Sequence, residues 1–302
     1  MTIALTGATG FVGQAVLDQA AQSDETVRAL TRRAQAPRAN VEWVAGDLSD
    51  TAALAALCEP CDAIVHVAGL TNAPDPAAFE EANVDGTARL IAAARHSRAK
   101  RFVFVSSLSA REPGLSAYGA SKERAEKLVE ASGLDWTIVR PPAIYGPRDR
   151  EMLELFRAAK WGVVPVPGEG RLSLIHVDDL ADLLLALIPG GEDITSAVFE
   201  PDDGRRGGWT HYEFARAIGA AMGRRPFVWR LSGKALHRSA RFDGWLRGTG
   251  AKLTPDRAAY FNHPDWVVTY GAWPPPDLWQ PRVETRQGLK ATADWYRAQR
   301  WL

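Results

Sequence analysis

The chain has 302 residues, 46% of them hydrophobic and 24% charged, with 36 acidic residues against 36 lysines and arginines. That length holds one large domain, or a main domain with a smaller partner, and the balanced charge speaks against a general nucleic-acid or anionic-membrane binder, which needs an excess of cations. It leaves a local basic patch open. Apolar runs such as Leu183 to Ile188 are far short of the roughly 20 residues that cross a bilayer. A first strand beginning at Thr2 leaves no room for a cleaved leader. The expectation is a cytoplasmic protein with a small-molecule substrate and with neither a membrane nor a nucleic acid as partner.

In chain order, short apolar runs alternate with helical patterns, the signature of βαβ units around a parallel sheet. Strands are expected at 2–6, 27–31, 41–45, 63–67, 101–106 and 136–139. Helices are expected at 11–22, 51–57, 77–97 and 117–131. A strand at 172–177 and a helix at 178–188 read as a return to the same sheet. From about Glu192 the texture changes: Asp202 to Gly208 is a polar, glycine-rich loop, and most of the eleven tryptophans follow. The predicted division is therefore a dinucleotide-binding domain over 1–190, with 147–167 contributing to substrate cover, and a substrate-binding region over 191–302 whose tail packs back. Trp209, Trp229, Trp245, Trp266, Trp273 and Trp279 are expected to pack, with one or two lining an apolar pocket.

The first strand leads into Thr6-Gly7-Ala8-Thr9-Gly10-Phe11-Val12-Gly13, which opens the first helix. Glycines at 7, 10 and 13 remove the Cβ atoms that would block a pyrophosphate and aim backbone N–H groups and the positive helix end at it. At the end of the second strand an NAD-selective site carries a carboxylate for the adenine ribose. Here Arg32 and Arg33 stand there, and guanidinium groups suit a 2′-phosphate through charge-assisted, bidentate hydrogen bonds. NADP is the expected cofactor, with NAD as the alternative.

Tyr118-Gly119-Ala120-Ser121-Lys122 puts a phenol and an ammonium four residues apart, on one face of a helix. A nearby positive charge is expected to lower the phenol from its ordinary value near 10. A hydroxyl partner is expected at the end of the fifth strand, from Ser107 or Ser106. The two cysteines, Cys58 and Cys61, are too few for a zinc site and read as ordinary thiols near a surface turn. His66 and His176 lie in apolar strand segments and read as core residues. The other four histidines show no ligand spacing, so no metal is expected.

These motifs resemble the extended short-chain dehydrogenase/reductases, the NAD-dependent epimerase/dehydratase family, along essentially the whole chain, more loosely over 192–280. The resemblance implies a Rossmann-type, doubly wound parallel α/β sheet with a smaller C-terminal substrate-binding region. It implies that Gly7, Thr9, Gly10, Phe11, Val12 and Gly13 hold the pyrophosphate. Asp47 and Leu48 would hold the adenine, Val67, Ala68 and Gly69 would line the cofactor's middle, and Pro141 and Ile144 would flank the nicotinamide. Lys122 would bind the ribose and Tyr118 would pass a proton. It favours Ser107 as the hydroxyl that bonds the substrate oxygen, with the helix bearing Tyr118 as a pairing surface in a homodimer.

Two departures sharpen the reading. Only ten residues separate Ser107 from Tyr118, fewer than sugar-nucleotide enzymes of this kind usually carry. Leu108 and Ser109 stand where dehydratases carry an acidic pair. Reduction of a carbonyl, or the reverse oxidation, is the expected chemistry. The alternatives are an NAD-dependent nucleotide-sugar epimerase and a catalytically idle cofactor-binding scaffold.

Overall fold

Near-continuous β-branched and aromatic runs form buried strands, as expected where helices cover both faces of a parallel sheet. In chain order the first half holds β1 (Thr2–Thr6), α1 (Phe11–Ala20), β2 (Thr26–Thr31), β3 (Val41–Ala45), α2 (Thr51–Cys58), β4 (Ala63–His66), α3 (Pro76–Phe79), α4 (Gly86–His96), β5 (Arg101–Val105), α5 (Ala117–Glu130) and β6 (Asp135–Val139). There follow β7 (Ala143–Tyr145), α6 (Leu153–Lys160), β8 (Val163–Pro167), β9 (Arg171–Leu172), β10 (Leu174–His176), α7 (Val177–Ala186), β11 (Ala197–Phe199), β12 (Trp209–Thr210), α8 (His211–Ala221), β13 (Phe227–Leu231), α9 (Gly233–Arg247), α10 (Pro255–Asn262), β14 (Asp265–Trp266) and α11 (Thr285–Ala298). This computed structural model describes residues 1–23, 25–73, 75–247 and 254–302. The chain divides into two units: residues 1–141, 180–201 and 271–280 make the first, and residues 142–179, 202–270 and 281–302 the second.

The first unit is a Rossmann-type α/β fold. Its seven strands run in the order β11-β6-β5-β4-β1-β2-β3, and every pairing is parallel. Chain order reverses between β1 and β4, so a crevice opens at their C-terminal ends, the place where such sheets receive ligands. On one face Leu54 and Leu57 of α2, Leu90 and Ile91 of α4, and Ala125 and Val129 of α5 pack on Ile64, Phe102, Phe104 and Ile138. β4 and β5 are buried along their whole length, whereas the edge strand β3 is only partly covered. Cys58 and Cys61 flank the exposed turn Glu59–Pro60 as expected, but their own side chains are wholly buried in this core. Burial pushes both thiols up to about 12, which leaves them inert.

Two expectations change. The long helix expected at 77–97 is α3 and α4 joined by a six-residue π-helical stretch, Glu80–Asp85. The strand expected at 172–177 divides at Ser173 into β9 and β10, and β10 pairs with β7 outside the main sheet. β11 takes the edge beside β6 instead. A fully buried three-residue strand reads alike in either sheet, and periodicity does not choose its partner.

In the second unit β8 pairs with β13, and β9 lies between β12 and β14. Its core draws on one stripe of each of three amphipathic helices: Leu153 and Phe156 of α6, Phe214 and Ile218 of α8, and Leu289 and Tyr296 of α11. The rings of Phe156 and Tyr296 meet edge to face at 5.2 Å. Trp209, Trp266 and, in the first unit, Trp279 are buried packing residues as expected. Trp229 departs from that pattern at 55% exposure. The side chains of Trp245 and His237 lie outside the described residues.

Candidate active site

At the end of β1 the chain turns through Gly7 in the left-handed region, φ 73°. A Cβ there would lie 2.6 Å from the Ala68 nitrogen. One on Gly13 would lie 2.1 Å from the Gly7 carbonyl oxygen. The turn after β1, the start of α1 and the end of β4 are thus pressed together as only glycine permits. Thr9 and Gly10 are exposed, Phe11 is half-buried and Val12 faces the core. Gly10 precedes α1 without a side-chain cap, and the first turn carries no acid. Its N–H groups and the positive helix end therefore form a cradle for a phosphate, and a dinucleotide fits the residues present.

Other residues read from the sequence follow the ends of β2, β3, β4 and β6. Arg32 and Arg33 are exposed, and among the described residues neither guanidinium is engaged in an ion pair or hydrogen bond. The Asp47 carboxylate accepts from the Ser49 hydroxyl (2.6 Å) and backbone N–H (2.8 Å). Those bonds, helped by the Arg32 charge, hold its pKa below the usual range. Leu48 packs on Gly86, where a Cβ would lie 2.8 Å from its Cδ1. Ala68 donates its N–H to the Thr6 hydroxyl at 3.2 Å, and Val67 beside it is half-buried. A Cβ on Gly69 would lie 3.2 Å from Lys122 Nζ, so the end of β4 and α5 meet there. The buried Pro141 accepts the Leu108 N–H at 3.0 Å and thereby ties the end of β6 to the segment after Ser107. Ile144 falls in the second unit, on β7, paired with Ile175 of β10.

Ser116 caps α5 by accepting the Gly119 N–H at 2.9 Å. The ten residues after Ser107 form two short 3₁₀ turns, Leu108–Arg111 and Pro113–Leu115, packed on α5. Gly119 makes that packing possible: a Cβ there would lie 2.7 Å from the Ser109 carbonyl oxygen. The result brings the Tyr118 hydroxyl into a hydrogen bond with the Ser107 side chain. Ser107 also accepts from the Ser109 hydroxyl at 2.9 Å. Ser106, the other candidate, is buried and donates to Glu126 at 2.5 Å. Its hydroxyl is committed elsewhere.

Lys122 Nζ donates to the Val105 carbonyl at 2.8 Å and lies 4.9 Å from the centre of the Phe104 ring. Burial draws its pKa down to about 8 against the pull of Glu126. The expected lowering of Tyr118 does not occur in this form. Burial pushes the phenol up to about 12, opposed by the Ser107 hydrogen bond. The spacing rule put Lys122 on the same helical face, but its ammonium turns to the strand end. A phenol held protonated is a proton donor.

Several supports of this cluster went unread as site residues. Asn83, in the π-helical stretch, accepts the Leu70 N–H at 2.7 Å and donates to the Leu70 carbonyl and the Ser121 hydroxyl, each at 2.9 Å. It fastens the loop after β4 to α5. Glu126, 2% exposed, takes a two-pronged hydrogen bond from Arg140, 2.9 and 2.6 Å. Arg140 and Arg111 both pair with buried Glu200. The signal for Glu126 lay in the spacing: 118, 122 and 126 recur every four residues along one helical face. Nothing local marks Glu200. His66 is wholly buried between the Thr6 hydroxyl (2.6 Å) and the Thr87 hydroxyl (2.9 Å). Because Thr87 gives its own proton to the Asn83 carbonyl, His66 donates from Nε2 and accepts at Nδ1. Burial, reinforced by the Lys122 charge, holds its pKa down to about 3.

A phosphate cradle, a crevice at the chain reversal and a Ser–Tyr pair beside a buried lysine form one continuous arrangement. Residues 3–197 match the model of the NAD dependent epimerase/dehydratase family. The chain belongs to that family. It is an NAD(P)-dependent oxidoreductase of the short-chain dehydrogenase/reductase type, which sets aside the idle scaffold. A ceramide reductase from Caulobacter vibrioides is 38% identical, with 99% of this chain and 96% of that protein aligned. A 4-hydroxy-2-methyl-3-oxo-4-farnesyl-3,4-dihydroquinoline-1-oxide ketoreductase from Stigmatella aurantiaca is 31% identical, with 62% of this chain and 65% of that protein aligned. The crystal structure of a Bacillus cereus UDP-glucuronic acid 4-epimerase with UDP-glucuronic acid and NAD shares the fold, with a TM-score of 0.76 at 17% identity over 99% of this chain and 100% of that one.

Proposed function

We propose that this protein is an NADPH-dependent reductase of a ketone carried by a ceramide-type lipid. The observation that carries the reading is the 38% identity to a ceramide reductase over 99% of the chain. That alignment takes in the tryptophan-rich C-terminal portion, which we assign to substrate selection. An amide carbonyl resists hydride, so the reducible group on such a lipid is a ketone. When bound, the reduced nicotinamide supplies the hydride.

The chain's own residues do the rest. The Ser107 hydroxyl donates to the ketone oxygen and steadies its developing charge, and Tyr118 gives that oxygen a proton. The C=O double bond becomes a C–O single bond with one new C–H and one new O–H. Lys122 orients the ribose and stabilises the phenolate until a proton from water restores it. Gly7 to Gly13 hold the pyrophosphate, and Asp47 and Leu48 the adenine. Arg32 and Arg33 hold the 2′-phosphate, which makes NADP the cofactor. Pro141 and Ile144 flank the nicotinamide.

The test is NADPH consumption by the purified protein with a keto-ceramide, set against a UDP-sugar. The expected result is one NADPH oxidised per hydroxyl formed and a preference over NADH. Tightly held NAD with sugar-nucleotide isomerisation and no NADPH consumption would restore the epimerase reading. A cytoplasmic homodimer completes the proposal, and light scattering checks the dimer. Among the described residues no helix is long and apolar enough to cross a membrane.

A further inference from the structure

The β8–β13 ladder of the second unit has one dry face and one bare face. Val164, Val166 and Val228 turn inward onto the unit's core. The alternate positions turn outward in register, Val163 beside Phe227 and Pro165 beside Trp229. Phe227 is 69% exposed and Trp229 55%. Trp161, 86% exposed, stands in the turn that enters β8. The Gly162 carbonyl next to it accepts the Phe227 N–H at 2.8 Å, which holds this turn against β13. Large aromatics gathered on one bare face mark a surface that meets an apolar partner.

The charge around them says which partner. The two segments that carry the ladder and the turns into it, 160–167 and 224–231, contain no acidic residue. Lys160, Arg224 and Arg225 lie just before the two strands, whereas Arg230, in register with the inward Val166, falls on the other face. Lys160, Arg224 and Arg225 are all exposed. Tryptophan and phenylalanine settle at the depth of lipid headgroups, while arginine and lysine reach the phosphates around them. Two copies of this face would bring six cations together, which opposes self-association. A balanced net charge for the whole chain leaves room for such a local patch.

We propose that the outer face of the β8–β13 ladder docks on an anionic phospholipid bilayer. The inference goes beyond the lipid-ketone reading and does not depend on it. Docking would bring the enzyme to the bilayer in which a lipid substrate resides.

The test is sedimentation of the full-length protein with phosphatidylcholine vesicles, with and without phosphatidylglycerol. Binding is expected only with the anionic lipid, weakening as salt rises. Arg224→Ala with Arg225→Ala should lower the affinity about thirtyfold, at about one kcal/mol per cation. Trp161→Ala, Phe227→Ala and Trp229→Ala together should lower it at least about tenfold. Both variants should keep the parent's circular dichroism spectrum and thermal unfolding midpoint, which shows that they fold. Failure to bind anionic vesicles, binding that neither variant weakens, or equal binding to neutral vesicles overturns the proposal. So does a parent oligomer that the aromatic variant dissolves, since the face would then be an interface between copies. Vesicle binding without ketone reduction would refute only the functional reading, and reduction without binding only this one.

Discussion

Both units bury charged side chains, but they differ in what they leave exposed. In the first, Lys122, Glu126 and Glu200 are each no more than 4% exposed. Among the described residues, every exposed large hydrophobic side chain except Met1 belongs to the second unit. Each arrangement has a cost that ordinary packing would avoid. Buried ions lose their hydration and must be paired, and exposed aromatics leave apolar area in water. The comparison teaches that the costs sit where function needs them. In the first unit, paired buried ions support the strand end that carries Ser107. In the second, bare rings and cations present a surface to a partner.

The comparison can be tested from both sides, and the largest effect should come from the hydroxyl pair that the buried ions support. Tyr118→Phe is expected to lower turnover by roughly 10²–10⁴-fold, the usual weight of a positioned proton donor, while fluorescence titration finds NADPH affinity nearly unchanged. Retention of more than about a tenth of the turnover would falsify the proton-donor role.

Next comes the buried ion pair itself. Glu126→Ala leaves Arg140 without its two-pronged partner and frees the Ser106 hydroxyl. A loss of about 3–5 kcal/mol in urea unfolding is expected, as for other broken buried pairs. A loss below about 1 kcal/mol would mean that the ions are solvated like surface ones. Arg32→Ala with Arg33→Ala should weaken NADPH about tenfold to a hundredfold and leave NADH unchanged, because only the 2′-phosphate loses charged hydrogen bonds. Equal weakening of both cofactors would remove the arginines from the 2′-phosphate.

The pH profile gives a smaller effect whose sign follows from burial. Lys122 has its pKa drawn down to about 8, so its ammonium form dominates at neutral pH and is lost above that value. Tyr118, pushed up to about 12, stays protonated throughout the same range. Ketone reduction, measured as kcat/KM, is therefore expected to hold level below about pH 8 and to fall above it. Lys122→Arg should move that fall upward, even if it lowers the plateau. The smallest effect belongs to the second unit's bare face. Trp229→Ala should change thermal or urea stability by no more than about 0.5 kcal/mol, because an exposed ring gives up little on removal. A larger loss would show that the ring packs like those of the core.

By itself the sequence determined what depends on near neighbours. The glycine turn after β1, the parallel strands, and Tyr118 and Lys122 on one face of α5 all follow from spacing over a few residues, because backbone sterics and the helical repeat act at that range. The extent of burial and the choice of partner were decided only by the tertiary structure. It gave the Ser106 hydroxyl to Glu126 and left Ser107 to Tyr118. It sank Cys58 and Cys61 into the core and sent β10 to β7. It raised the phenol that spacing alone expected to be lowered, and it turned Trp229 outward. The physical reason is range. Arg111 and Glu200 are 89 residues apart in the chain and 3.3 Å apart in space, and no local pattern records a desolvation that residues so distant in sequence impose.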